Sequence, residues 1–576
     1  FAELTAPGAP FELGPVTIRG VLYPVAFKAG PSTLPLWLEG VFDETQEPED
    51  STCLVFEEER LTYSQVRRDF EALAAILLKR YGLRTGDRVA VSMRNYPEWC
   101  ISYLAGIRMG AVLVPVNSWW KEAEISYGLQ DSGTAVLFCD RERLALSLPA
   151  LRSLKIPAIV ARASRDEISE ALQEGLALPY RDVLAEALGL ERQPWPLLDT
   201  DDDANIMYTS GTTGSPKGVV QTHRGLTTQM RISKLGAAVA LKLGGGPPKK
   251  PGMVCPVPLF HVTGLVHIFL NTLNSRGKIS LMSKWDAGRA LQLIAREKPT
   301  SWTGVPTMVQ DMMDHPDFKK TDVSSLRGIG RGGSVTPVSQ VAQSAKAFGR
   351  SPVQGWGLTE TCGGVAFNVG GDYLRKPTST GRPSATVEVV SIDAETRSPF
   401  PQGEAGELAL RSPMNMRCYW RKPAETEAAV IEIPGRGKGW FRTGDRGLVD
   451  EEGFIHITGR EKEIIIRGGE NISCTEVEGA FFAAASDLVK EVCAFAVPEQ
   501  RLGEVAGVAV MLAPGASPSP SELLRRVQSD GRLASFKIPR IEHLFLQREP
   551  LLRGATGKIV RREVREHCLV QLRSRL

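Results

Sequence analysis

A chain of 576 residues with 42% hydrophobic and 23% charged residues has an ordinary globular make-up, and its length suggests roughly four units of about 150 residues. A formal net charge of +3 is too balanced for a nucleic-acid binder. The nine cysteines stand singly from Cys53 to Cys568 with no Cys-x-x-Cys pair, which reads as buried thiols in a reducing compartment and argues against a disulfide framework or structural zinc.

In chain order, the first half alternates helices and strands. Thr62 and Gln65 fit a capping box, followed by apolar Val66, Phe70, Leu73, Ala74 and Leu77 at helical spacing. Strand-like runs follow at Val89–Val91, Val112–Val114, Ala135–Phe138 and Ile159–Val160. This is α/β patterning, with parallel sheets covered by helices.

Ile206–Tyr208 and Val219–Thr222 read as two strands, which makes Thr209–Gly218 a hairpin tip. The tip holds five hydroxyls, three glycines, Lys217 and no acidic residue. Glycines can leave backbone N–H groups pointing outward there, and Ser and Thr add donors, as in a nest for phosphate oxygens. It is not a Walker A loop: Pro216 precedes Lys217 where Gly is required, and Gly218 follows where Ser or Thr binds magnesium. By composition alone, a solvated Gly/Ser/Thr turn is the plainer reading.

Leu243–Gly252 reads as an exposed, mobile loop with solvated lysines. From Pro251 to Ser275 no residue is charged, long enough to raise the question of a membrane span. Pro256, Pro258, Asn271, Asn274, His261 and His267 suit a lipid-facing helix poorly, so a buried strand, turn and helix is expected. A boundary is read near Gly459-Arg-Glu-Lys462. A β-rich stretch with turn glycines lies before it, and a compact pattern ending near Glu566 follows. This divides the chain into 1–459 and 460–576, the second the size of one small domain. No internal repeat or long disordered tract is seen, nor a signal peptide in the residues from Phe1 onward.

The string Thr209–Gly218 resembles the phosphate loop of the acyl-adenylate-forming enzymes, which include acyl-CoA synthetases, coumarate–CoA ligases, beetle luciferases and peptide-synthetase adenylation domains. Gly355-Trp-Gly-Leu-Thr-Glu360 resembles the family's adenine and magnesium motif, and Trp440-Phe-Arg-Thr-Gly-Asp445 its ribose motif. Gly459-Arg-Glu-Lys-Glu-Ile464 is similar to the hinge, and Gly554-Ala-Thr-Gly-Lys558 to the catalytic-lysine loop. The order and spacing of these five strings match from about residue 50 to the C-terminus. The chain is therefore identified as a member of the family's acyl-CoA synthetase branch. The resemblance implies an α/β fold: a large N-terminal domain of stacked αβ subdomains plus a β-barrel-like subdomain, and a small mobile α+β C-terminal domain.

The implied reaction begins with a carboxylate attacking the α-phosphate of ATP, giving acyl-AMP and pyrophosphate. Two anions must meet, with repulsion of about 1 kcal/mol per charge pair in water and about 4 near a protein surface, so placed cations are the main requirement. By resemblance, Lys558 bridges carboxylate and α-phosphate, Thr359 donates to the α-phosphate, and Glu360 is the ligand for Mg2+. Thr209, Ser210, Gly211, Thr212, Thr213 and Lys217 then hold the β- and γ-phosphates. Trp356 with Gly357 offers the adenine an aromatic face where the family more usually has Tyr. Gly332-Gly333-Ser334-Val335 replaces a Gly-Gly-Ala-Pro string, and losing the proline loosens that turn. Asp445, otherwise a cap of its Thr-Gly-Asp turn, accepts from both ribose hydroxyls, with Arg460 beside ribose or phosphate.

Coenzyme A enters in the second step. The family's small domain rotates about the hinge residue, here Lys462, and the turn glycines Gly468 and Gly469 let a pantetheine arm pass. The acid pocket is expected at Pro258–Gly264, with His261 at the carboxylate end and Thr263 beside it. Gly330, Gly332, Gly355, Gly363 and Gly364 leave room for a chain or ring. Peptide-synthetase domains place an Asp where this chain has His261, so an amino acid substrate is not expected. Arg331 flanks the pocket and could meet a second carboxylate, although solvent is its expected direction.

Medium- to long-chain fatty acids are the leading expectation, with aryl or polyketide-derived acids next. Rivals are a stand-alone enzyme loading a carrier protein, a luciferase-like oxygenase, and a non-catalytic binding relative; Glu360, Asp445 and Lys558 argue against the last. Ser574-Arg575-Leu576 is similar to the Ser-Lys-Leu peroxisomal address, which implies an import receptor as partner. A monomer or homodimer is expected.

Overall fold

The computed structural model describes residues 1–43, 51–209, 216–243, 251–332, 336, 338–460, 463–467 and 470–575, with 339, 351, 471 and 575 described in backbone only. It is a mixed α/β structure with two large sheets. In the first, Val112–Pro115, Arg88–Ser92, Thr134–Asp140, Ala158–Ala161 and Ala177–Pro179 run parallel, as the apolar runs led us to expect. Asp203–Thr209 joins this sheet and turns back antiparallel into Lys217–Thr222, closing with Thr209 opposite Lys217.

The second large sheet places Gly252–Cys255, Ser301–Gly304, Gly328–Gly332 and Ser351–Leu358 in parallel, with Gly363–Val369 returning antiparallel. One hydrophobic core takes side chains from both sheets and from the helices Tyr63–Lys79 and Pro97–Met109. At its centre Trp99 stacks on Tyr103 at 5.3 Å, and Phe269 meets both rings edge-on. The Thr62/Gln65 capping box forms, with Thr62 Oγ1 accepting from the Gln65 N–H at 3.2 Å and Gln65 Oε1 from the Thr62 N–H at 2.9 Å.

The uncharged stretch folds as the strand Gly252–Cys255, a turn, the π-helix Thr263–Leu270 and the short helix Asn271–Asn274. A Cβ on Gly264 would lie 2.2 Å from the Pro258 carbonyl oxygen, so only glycine lets this turn close. Among the described residues, no helix is long and apolar enough to cross a membrane. All nine cysteines are free; eight are buried and Cys418 is half-buried.

Beyond Gly381 an antiparallel sheet is built on the long strand Gly437–Val449, which also pairs with Ile455–Arg460. A last sheet of five strands, centred on Gly503–Leu512, carries hydrophobic cores of its own. Three features depart from expectation. The final helix runs Arg561–Arg575, well past Glu566. Asp445 sits at a break in register inside Gly437–Val449 instead of in a free turn. The N-terminal hairpin of Leu13–Ile18 and Val21–Phe27 had no sequence signal, because Pro24 and mostly half-exposed faces blur its alternation.

Candidate active site

The C-terminal ends of the parallel strands in the second sheet open onto a cavity of about 2800 Å³, where Thr359, Glu360, Asp445, Arg460, Lys558 and His261 all reach its walls. Strand Ser351–Leu358 ends in the single turn Thr359–Thr361, and backbone crowding fixes its path. A Cβ on Gly357 would stand 1.9 Å from the Gly363 carbonyl oxygen, and Gly363 itself has φ +125°. A buried relay holds this turn from behind: Tyr103 OH donates to Asn205, Asn205 to Gln221, and Gln221 Nε2 to the Thr359 carbonyl at 2.8 Å. Glu360 accepts from Tyr419 OH at 2.9 Å, and burial raises its carboxyl above the usual range. The same Tyr419 ring lies 5.0 Å from Lys217 Nζ, so one residue touches both ends of the expected triphosphate site.

On the adjoining wall Trp356 Nε1 donates to Asp445 Oδ2 at 2.8 Å, and Arg460 Nε pairs with Asp445 Oδ1 at 3.0 Å. Burial raises the Asp445 carboxyl, against the opposing pull of Arg460.

Lys558 is carried by a tight hairpin in which Gly557 N–H donates to the Gly554 carbonyl and Gly554 N–H to the Lys558 carbonyl, both at 2.9 Å. Gly557 has φ +78°. Arg553 anchors the hairpin from inside, donating to the Gly557 carbonyl and pairing with Glu491. It also donates to Thr307 Oγ1 at 3.3 Å on the helix Pro306–Asp314. Lys490 pairs with Asp314 at 3.2 Å on the same helix, so two polar contacts hold the hairpin against the larger body. Sunk in the cleft, the Lys558 ammonium is lowered to about 8, first by burial and then by the nearby Arg460. Its charge and burial push His261 down to about 3, burial being the larger cause.

His261 Nδ1 accepts from the Thr263 N–H at 3.3 Å, which leaves its ring proton on Nε2. His267, lowered to about 4 by burial, accepts from the Gly364 N–H at 2.8 Å. Gly330, Gly332 and Gly355 share one face of the sheet, where a Cβ on Gly355 would meet the Phe367 ring at 3.3 Å.

Strand alternation turns Arg331 to the opposite face, in register with Gln354 and two residues from the level of Trp356. Arg331 does not point to solvent, as expected. It is 2% exposed, its Nε and Nη1 have no partner among the described residues, and burial lowers its guanidinium. The expectation failed because an Arg between glycines carries no local sign of which face is packed.

The structure brings Trp356, Gly357, Thr359, Glu360, Asp445, Arg460 and Lys558 to one cleft, with His261, Thr263, Gly332, Gly355 and Gly363 along its wall and Thr209 and Lys217 at its edge. Ser210, Gly211, Thr212, Thr213, Gly333, Ser334, Lys462, Gly468 and Gly469 lie outside the described residues, as does most of the Leu243–Gly252 loop. Tyr419, Gln221, His267 and Arg553 were not found from sequence. Each acts through a partner far along the chain and sits in no recognisable string.

A family model described as AMP-binding enzyme matches residues 42–420. The chain is 31% identical over 539 residues to a long-chain-fatty-acid–CoA ligase of Bacillus subtilis (strain 168), across 90% of this chain and 92% of that protein. It is 34% identical over 508 residues to a feruloyl-CoA synthase of Amycolatopsis sp, across 88% and 93%. Among solved structures, ATP-bound MatB from Rhodopseudomonas palustris superposes with a TM-score of 0.78 at 26% identity, covering 92% of this chain and 98% of that one.

Proposed function

This chain belongs to the AMP-binding enzyme family and is an acid–thiol ligase working through an acyl-adenylate; from that premise we propose which residues carry the two half-reactions and which acids enter. A carboxylate oxygen of the acid attacks the α-phosphorus of ATP, and the bond to the β-phosphate oxygen breaks to release pyrophosphate. The thiolate of coenzyme A then attacks the acyl carbon, and AMP leaves.

Lys558 neutralises the carboxylate and α-phosphate as they approach, Thr359 donates to the α-phosphate, and the neutral His261 ring donates from Nε2 at the carboxylate end. Trp356 and Gly357 receive the base, and Asp445 the ribose hydroxyls. Lys217 and the loop before it take the β- and γ-phosphates. The donor set fits magnesium that arrives with the nucleotide: Glu360 is a single carboxylate, and no cluster of three metal-ligating side chains occurs among the described residues. Glu360 would hold that ion, which screens the triphosphate charge. For the second step, residues 460–576 turn about Lys462 to withdraw Lys558 and bring Gly468 and Gly469 to the pantetheine arm.

The observation that carries these roles is the seating of the Lys558 hairpin in one cleft with His261, Asp445 and Thr359. Medium- to long-chain acids are the proposed substrates. The cavity follows the helix His223–Lys242 from Gln229 to Val239, ten residues or about 15 Å at the helical rise. The glycine-walled slot beside Phe367 favours an aryl acid as the second reading, as does the likeness to a feruloyl-CoA synthase. A panel of acids assayed for pyrophosphate release, then for thioester with coenzyme A, tests both. Release without any thioester would remove coenzyme A as the acceptor.

A further inference from the structure

Tyr419 touches both charged residues at the expected triphosphate site, and the backbone around it explains how. Its short strand Cys418–Tyr419 pairs antiparallel with Lys217–Thr222, Tyr419 lying opposite Val219. Trp420 N–H donates to the Gly218 carbonyl at 2.7 Å, and Met416 N–H to the Glu360 carbonyl at 2.6 Å. Residues 416–420 are thus sewn to the strand that carries Lys217 and to the turn that carries Glu360. Trp420 Nε1 donates to the Asp131 carbonyl and Tyr419 N–H to Thr426 Oγ1, both at 2.9 Å, which fixes the segment further.

The side chain meets the two charges with different chemistry. Its hydroxyl donates to Glu360 Oε1 at 2.9 Å, while Oε2 has no hydrogen bond or ion pair among the described residues. Its ring lies 5.0 Å from the Lys217 ammonium, and no described carboxylate is within ion-pair distance of that nitrogen. An ammonium and a carboxylate serving one site attract each other by about 4 kcal/mol at contact near a protein surface. Paired together, each would have to be pulled free before it could meet a phosphate oxygen or a metal ion. A charge-assisted hydrogen bond on one side and a cation–π contact on the other give each a partner that leaves it usable.

We infer that Tyr419 is a positioning residue for the nucleotide: its hydroxyl fixes the Glu360 carboxylate with Oε2 left for the magnesium that the triphosphate carries, and its ring keeps Lys217 off that carboxylate. This rests on the roles given to Glu360 and Lys217 above and adds the residue that makes them compatible. Losing the hydrogen-bond partner of a metal-binding side chain costs about 10- to 100-fold in metal affinity. The hydroxyl's part therefore shows only when magnesium is present, whereas the ring's part shows without it.

The test measures ATP binding to the full chain by titration calorimetry, once with excess magnesium and once with EDTA, without acid or coenzyme A. Tyr419→Phe keeps the ring and loses the hydroxyl. It is expected to weaken binding about 10-fold with magnesium and to leave binding in EDTA unchanged. Tyr419→Leu loses both parts and is expected to weaken binding in EDTA as well, by about 2- to 5-fold. Its loss with magnesium is expected to exceed its loss in EDTA by a further factor of about 10, so it serves should Tyr419→Phe not fold. Glu360→Gln is expected to abolish the gain from magnesium. Equal weakening of Tyr419→Phe in both buffers, or none in either, overturns the inference, as does unweakened binding of Tyr419→Leu in EDTA. No gain from magnesium in the unaltered protein, or a full gain retained by Glu360→Gln, overturns the role of Glu360 instead.

Discussion

The indole Nε1 of Trp356 donates to Asp445 Oδ2 at 2.8 Å, tying the strand Ser351–Leu358 to the carboxylate that Arg460 also holds. A phenylalanine could present an aromatic face there but could not make this bond. Trp356→Phe is expected to keep the ring and loosen Asp445, raising KM for ATP about 10-fold, the equivalent of roughly 1.4 kcal/mol for one lost bond to a charged group. Steady-state kinetics with varied ATP measures it. An unchanged KM would mean that this bond does not hold Asp445 for the nucleotide.

Lys558 is the cation we propose for the first half-reaction and not for the second. Lys558→Ala is expected to slow pyrophosphate release by about 100-fold, the scale of a lost preorganised charge contact. Thioester formation from supplied acyl-AMP is expected to be largely spared. Equal damage to both half-reactions would refute the assignment.

The pH dependence follows from the same residue. Burial lowers the Lys558 ammonium from 10.5 to about 8, so the charged form prevails below about pH 8 and is lost as pH rises through it. The kcat/KM for adenylate formation is therefore expected to fall above pH 8, and Lys558→Arg, slower but permanently charged, to remove that limb. His261, near 3, is neutral throughout the working range, so it contributes no limb near 6.5. A profile flat to pH 10 would contradict the ammonium's role.

Lys490–Asp314 and Arg553–Thr307 hold the lysine hairpin against the helix Pro306–Asp314. Both contacts are partly solvated, so each is worth little by itself. Asp314→Ala is expected to slow adenylate formation by about 2- to 5-fold, within the range for an exposed pair, while thioester formation from acyl-AMP is unchanged or faster. Single-turnover measurement of each half-reaction distinguishes this from a general loss of stability, which would lower both.

The fold was legible where the physics is local. The Thr62–Gln65 cap, the apolar runs at Val89–Val91 and Ala135–Phe138, and the hairpin around Thr209–Gly218 each declare themselves within a few residues. The final helix reads as ending near Glu566 because its sequence is polar on average, although Cys568, Leu569 and Leu572 pack into the last core.

The chemistry-bearing strings were readable by resemblance, and those among the described residues line one cleft. What only the tertiary structure decided is which side chains meet across long separations. Tyr419 joins Glu360 to Lys217, Gln221 braces the Thr359 carbonyl, and Asp445 lies at a break in a strand. Arg331 is buried because strand register, not its neighbours in sequence, selects the face it occupies. The reason is physical: helix and turn preferences act over three or four residues, whereas register and domain seating are set by packing between segments hundreds of residues apart.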